Sequence, residues 1–363
     1  MRDNSVDIAK GLGILFVIGG HCAFEIPDFP SYSFHIPLFY FISGFFIHSY
    51  ISRKQTCTQF VKKRFDSLLV PYFIYNIIFG FVTYLLGFIG ILNIAGGFFD
   101  LLSFRNLVLE PFISGHQYQI SLALWFVPSL FLVMLLVAIT RPALSLIVRN
   151  RAYMLFYVIF LVLAYYLSAS VSSHENRYLG MLGRTVIGYV YCVLGMLYYL
   201  NRDRIPKLAL FLLALFIYAA IAHHYGQYTY ISAHNDYGSG LKYRLSLPVT
   251  LSGTLVVVAV ANMLDKYGRI ARAADFAWLG RNSYHIMAVH LSFLLLLNLA
   301  ITIFIPGRSL ADIDNIFFRY NRIIFVYFFF ATLGSWWYVK FINQRLHEKL
   351  LRGIFSRWSK DPA

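Results

Sequence analysis

Apolar runs of membrane-spanning length recur from one end of the 363-residue chain to the other, with short polar stretches between them. A helix that crosses the hydrocarbon core needs about 20 mainly apolar residues. Ten segments reach or approach that length: 8–26, 34–51, 68–92, 120–140, 152–172, 182–200, 206–222, 245–264, 284–304 and 323–343. The seventh is short, and the stretch 94–119 suits an interfacial helix better than a span. The pattern predicts an all-α, polytopic membrane bundle of about ten transmembrane helices. One integral membrane domain occupies 1–343, and a basic, partly amphipathic tail at 344–363 is expected to lie on the inner leaflet. The first run is long, charged at its base and followed by no small-residue cleavage site, so it reads as an uncleaved span rather than a signal peptide.

Composition agrees. The chain is 59% hydrophobic and 13% charged, about half the charged share of a soluble domain. Its net charge of +15 would suit nucleic acid only if it formed a patch with a binding motif, and it does not. It follows the loops instead: 23 of the 31 Lys and Arg fall at the N-terminus, in alternate loops and in the tail. Such an asymmetry marks the cytoplasmic side, which places both termini in the cytoplasm and the protein in the inner, or cytoplasmic, membrane. The three cysteines, Cys22, Cys57 and Cys192, have neither disulfide nor metal-ligand spacing. No metal site and no permanently bound cofactor are expected, and nothing in the chain fixes its oligomeric state.

Three ionisable residues stand in the first run, and charge inside hydrocarbon is expensive enough to need a partner or a function. Lys10 and His21 are eleven residues apart; at 100° per residue that is three turns plus about 20°, so they share a face and lie about 16 Å apart along the axis. Asp7 is one turn below Lys10. Glu25 is one turn beyond His21, before Pro27, which is expected to end the helix. Asp7 and Lys10 are equally well explained by snorkelling or an i,i+3 pair near a membrane end, whereas the deeper His21 points to function.

Other candidates follow along the chain. His35 opens the second span and faces His21 if the two helices form a tight hairpin; an interfacial helix-start histidine would look the same. Ser43-Gly44 suits a close helix contact, since nothing marks a base for Ser43. Lys62-Lys63-Arg64 before the third span is either a topology signal or a phosphate-binding cluster. Trp125 sits at interface depth, where an aromatic belt is the default. Asn282-Ser283 opens the ninth span with helix-capping chemistry beside Arg281. His290 lies inside that span, in packing or in a site. The outer stretch with Tyr228, Tyr230, Tyr237, His223, His224, His234, Asn235 and Asp236 offers aromatic faces and polar groups suited to a sugar, and equally to a membrane interface.

Taken together, Asp7-x-x-Lys10-Gly with His21, Phe-His35-Ile-Pro-Leu-Phe-Tyr-Phe-Ile-Ser-Gly, Lys63-Arg64-x-x-x-Leu-Leu-Val-Pro71-Tyr72, Leu-Trp125-Phe-Val-Pro, and Leu-Gly-x-Asn282-Ser283-Tyr284 with His290 downstream resemble the membrane acyltransferase 3 family, and within it the fucose 4-O-acetylase-like branch. The resemblance implies transfer of an acyl group, usually acetyl from acetyl-CoA, to a hydroxyl of a surface glycan or lipid-linked sugar. It also implies that His21 is the essential histidine, with a basic residue eleven positions before it. That residue is usually Arg and here is Lys10, which keeps the charge and loses the bidentate fork. Acyl transfer needs a base or acyl carrier and oxyanion stabilisation. His21 suits the first role, Glu25 is placed to orient it, and Lys10 with the basic cluster is placed to hold coenzyme A phosphates or polarise the thioester. Asp7, His35, Lys63, Arg64, Trp125, Asn282, Ser283 and His290 complete the expected substrate contacts. A transporter or flippase of lipid-linked glycans is the rival reading, but the paired, Gly/Pro-interrupted spans of two corresponding halves are lacking. A glycan polymerase would carry a longer, arginine-bearing outer loop.

Overall fold

The computed structural model describes residues 3–24, 26–27, 29–52, 55–94, 96–115, 118–172, 177–225, 241–266, 268, 275–304 and 323–343. Among these the secondary structure is helical, with no strand and a single isolated bridge between Ile26 and Phe29. Eight helices are long and apolar enough to cross a membrane: Ser31–Ser52, Cys57–Phe88, Gln119–Ile139, Ala152–Ser170, Leu179–Asn201, Arg244–Lys266, Ser283–Phe304 and Ile324–Ile342. The expected first and seventh spans are also helices, over Asn4–His21 and Lys207–Tyr225. The first carries Asp7 and Lys10 within a short length, and the apolar part of the seventh stops at Ile221. The tail 344–363 and the tyrosine-rich stretch 226–240 lie outside the described residues, as does Glu25.

Six elements position the site: α1 (Asn4–His21), α2 (His35–Gly44), α3 (Cys57–Phe88, through a π-helical turn at Phe65–Leu69), α4 (Gln119–Ile139), α5 (Phe276–Arg281) and α6 (Ser283–Phe304). The helix α1 is central and packs against α2, α5, α6, Leu241–Lys266 and Ile324–Trp337. Helices in lipid gain little from apolar burial, so close backbone approach matters more. A Cβ on Gly280 would stand 1.7 Å from the Asp7 carbonyl oxygen, and one on Gly11 would stand 2.0 Å from that of Phe276. Only glycine lets α1 and α5 meet there. The same holds where Gly44 of α2 meets the backbone of Arg177–Asn201 at Cys192, the close contact expected of Ser43-Gly44.

Hydrogen bonds between helices add the rest: Tyr40 to Ser129 (2.7 Å), Tyr165 to Ser246 (3.1 Å), Tyr218 to the Pro30 carbonyl (2.7 Å) and Tyr327 to Asn298 (2.7 Å). Each is worth about 0.6 kcal/mol in a membrane. Outward faces are apolar: Leu155, Phe156, Ile159, Phe160, Leu163 and Leu167 on Arg151–Ser172 are all exposed, as a lipid-facing stripe would be.

The end of the first span differs from expectation. The first span was expected to run to residue 26, yet α1 stops at His21. Ala23 adopts the left-handed conformation (φ 54°). The Phe24 N–H reaches the Gly19 carbonyl (2.8 Å) and the Ala23 N–H reaches that of Gly20 (3.1 Å). This is the paired bonding of a Schellman cap built on alanine instead of glycine. It makes His21 the last residue of α1.

Candidate functional site

Two cavities adjoin the bundle's central helix, one toward each end. The larger, about 610 Å³, is partly open and lies at the Lys10 end. The smaller, about 30 Å³, lies at the His21 end.

Lys10, Arg64 and Arg281 all line the large cavity. Lys10 projects from α1 with its ammonium 5.1 Å from the centre of the Phe46 ring. Arg64 ends the first helical segment of α3, its guanidinium 5.1 Å from the Phe60 ring, and its buried Nε has no hydrogen-bond partner. Beyond Arg64 the helix widens into the π turn Phe65–Leu69, a local form that is frequent at functional sites. Asp66, Ser67 and Leu68 of that turn also line the cavity. The Tyr284 hydroxyl donates to the Leu68 carbonyl (3.1 Å) and so ties α3 to α6. Tyr75 and His285 are hydrogen-bonded at 3.0 Å beside it. Further walls are apolar: Phe39, Phe126, Val127, Leu130 and Met134. Ser283 and Ser43 reach the cavity, with the Ser43 hydroxyl donating to the Phe39 carbonyl (2.8 Å).

The small pocket is bounded by Val17, His21, Tyr32, His35, Ile36, Ala123, Trp125 and Met287. Tyr32 stands between the two histidines, its ring 6.0 Å from that of His21 and 5.0 Å from that of His35, edge-on to both. Its hydroxyl is 3.3 Å from His21 Nδ1. His35 donates its Nδ1–H to the Ser31 carbonyl (2.7 Å), and His290 donates its Nδ1–H to the Met287 carbonyl (2.9 Å). A carbonyl only accepts, so both rings carry the Nδ1 proton when neutral and keep a lone pair on Nε2. His290 is fully buried, its ring is 5.2 Å from His21, and its Nε2 has no hydrogen-bond partner.

The expected residues therefore divide. His21, His35 and Trp125 converge on the small pocket, with the His290 ring tilted beside that of His21. Lys10, Arg64 and Ser283 converge on the large one. Lys63 is exposed on α3 and is absent from the cavity wall. Asp7 is buried beside the contact of α1 with α5. Asn282 turns its amide back to the Trp278 carbonyl (2.9 Å), closing α5 rather than reaching the cavity. Three contributors carried no sequence signal of their own. Tyr32 is one of 27 tyrosines, Met287 is one apolar residue in an apolar span, and Arg184 resembled a loop charge. Arg184 is in fact buried, bonded to the Ser114 carbonyl (3.3 Å), with its guanidinium 5.7 Å from the Trp125 ring.

The sequence profile of the acyltransferase 3 family, described as an acyltransferase domain, matches residues 3–340. The chain belongs to that family, and it is a multi-pass membrane acyltransferase. No curated protein and no solved structure matches it.

Proposed function

We propose that the protein moves an acyl group, acetyl foremost, from acyl-CoA to a hydroxyl of a cell-surface or lipid-linked glycan, in the manner of the fucose 4-O-acetylase-like branch. The observation that carries this reading is the division of the site into a wide cavity with three cations and a narrow pocket with histidines, along one helix. Coenzyme A is a phosphate-rich molecule with a long, largely apolar arm. Lys10, Arg64 and Arg281 match the phosphates, and the phenylalanine-lined wall matches the arm. The Lys/Arg distribution supports a cytoplasmic opening at the Lys10 end, both termini on that side, and residence in the inner membrane.

In the reaction His21 takes the proton of the acceptor hydroxyl as the oxygen attacks the thioester carbonyl. The new C–O bond forms, the C–S bond breaks, and the proton passes to the departing thiolate. Tyr32 fixes the ring edge of His21 at Nδ1. Glu25, near in sequence, is the carboxylate proposed to favour the imidazolium. His35 and Trp125 bound the pocket in which the groups react, with the His290 ring 5.2 Å from that of His21.

Surface glycans compared by mass spectrometry with and without the gene test the whole reading. A gain of one acetyl mass per repeat unit is the expected result. Identical glycans in both strains would overturn the glycan acceptor proposed here.

A further inference from the structure

Among the described residues, Met287 is the one that lines both cavities. It projects from α6 and is 6% exposed. Its carbonyl holds the His290 ring by the 2.9 Å bond described above. Met287 thus borders the wide, cationic cavity and also the pocket of His21, Tyr32, His35 and Trp125.

We propose that the Met287 side chain is the partition through which the acyl group reaches His21, and that it restricts transfer to two-carbon acyl groups. The proposal rests on the acyl-CoA reading above and deepens it by naming the residue that sets acyl length. If the donor's phosphates lie with Lys10, Arg64 and Arg281, its carbonyl has to pass this residue to be attacked beside His21. The space beyond is about 30 Å³, two to three times the roughly 10–15 Å³ that a single water needs. A carbonyl with one methyl group can enter such a space when its walls adjust slightly. Two further methylenes have no room unless the partition retreats. Methionine suits the task, because its unbranched chain has three rotatable bonds and can swing aside without disturbing the helix that carries it. The transfer itself is unchanged: the hydroxyl proton goes to His21, the ester bond forms, and the thiol leaves.

The experiment measures kcat/KM of the purified full-length protein for acetyl-CoA and butyryl-CoA with one glycan acceptor. The wild type favours acetyl. Met287→Ala raises the butyryl-to-acetyl ratio at least about 10-fold, since a single methylene in a tight apolar pocket is worth about that much discrimination. Met287→Leu, which conserves volume, keeps the wild-type ratio within about 2-fold of its starting value. Should Met287→Ala fail to accumulate, Met287→Val supplies a smaller shift in the same direction. A folding defect lowers the rate with both donors alike and leaves the ratio in place, so the ratio reports the partition alone. Acetyl transfer by the wild type with an unshifted ratio in the Ala and Val variants overturns the partition and leaves the acyl-CoA reading intact. No transfer by the wild type from either donor overturns both.

Discussion

The two ends of α1 differ in kind. At the Lys10 end the cavity is about 610 Å³, partly open, and carries cations from α1, α3 and α5. At the His21 end it is about 30 Å³ and is lined by aromatic and imidazole rings packed 5.0–6.0 Å apart. On the acyl-CoA reading proposed above, the wide end takes the large charged donor and the narrow end the few reacting atoms. Carrying Lys10 and His21 on one rigid helix fixes the distance between these tasks, and Gly11 and Gly280 fix where that helix stands.

The sharpest way to break the comparison is to remove the imidazole at the narrow end. His21→Ala should lower glycan acylation by at least about 10²-fold, the usual cost of losing a general base, with membrane abundance unchanged. Acetylation at the wild-type level in a deletion strain carrying this variant would separate the histidine pocket from the chemistry altogether. Lys10 tests the other end. Lys10→Met should abolish most transfer, while Lys10→Arg should keep a substantial share, because the family resemblance places arginine there and the charge is retained. Equal loss in both would mean that shape at Lys10, rather than charge, matters.

Much of this architecture was legible because membranes impose simple rules. Length and hydropathy located the spans, and the cost of intramembrane charge singled out Lys10, His21 and His290. What the pattern could not show was which cavity each residue reaches. Lys63 and Arg64 are adjacent, yet only Arg64 turns into the wall, because neighbours on a helix point about 100° apart. The end of α1 was misplaced because Ala23 adopts a backbone conformation that alanine rarely does, so no glycine announced the cap. Arg184 was hidden by its position near the end of a polar stretch, although a buried arginine within a helix is costly enough to be worth noting. The π turn at Phe65–Leu69 has no periodicity that would betray it.

Arg64 and Lys63 therefore form a controlled pair. Arg64→Glu should weaken acyl-CoA binding about 10-fold, since it replaces a partner of the phosphates with a repelling charge. Lys63→Glu should change it by less than about 2-fold, as expected of an exposed charge at the rim. Titration of the purified protein with acyl-CoA decides this. Equal weakening by both would show that the wide end acts through its overall field rather than through contacts in the cavity.

The smallest expected effect concerns how the wide end is anchored. Asp3, just before α1, accepts a hydrogen bond from the Ser5 hydroxyl (2.6 Å) and pairs with Arg202, whose guanidinium lies 4.2 Å from the Tyr199 ring. Partial burial pushes the Asp3 carboxyl up, but the Ser5 hydroxyl and the Arg202 charge together hold it below its ordinary value of 3.8. A carboxyl with a depressed folded-state pKa stabilises the fold above its unfolded-state value and loses that contribution as pH falls through the folded one. Asp3→Asn should accordingly cost about 0.2–1 kcal/mol at pH 7, the range for partly exposed ion pairs. The gap between wild type and variant should shrink steadily as the pH is lowered from about 5 toward 3. Thermal unfolding in detergent across that range provides the measurement. A gap that stays constant with pH would show that Asp3 acts through the shape of the helix start, and the wide end would then owe its position to the Gly11–Gly280 contact without help from charge.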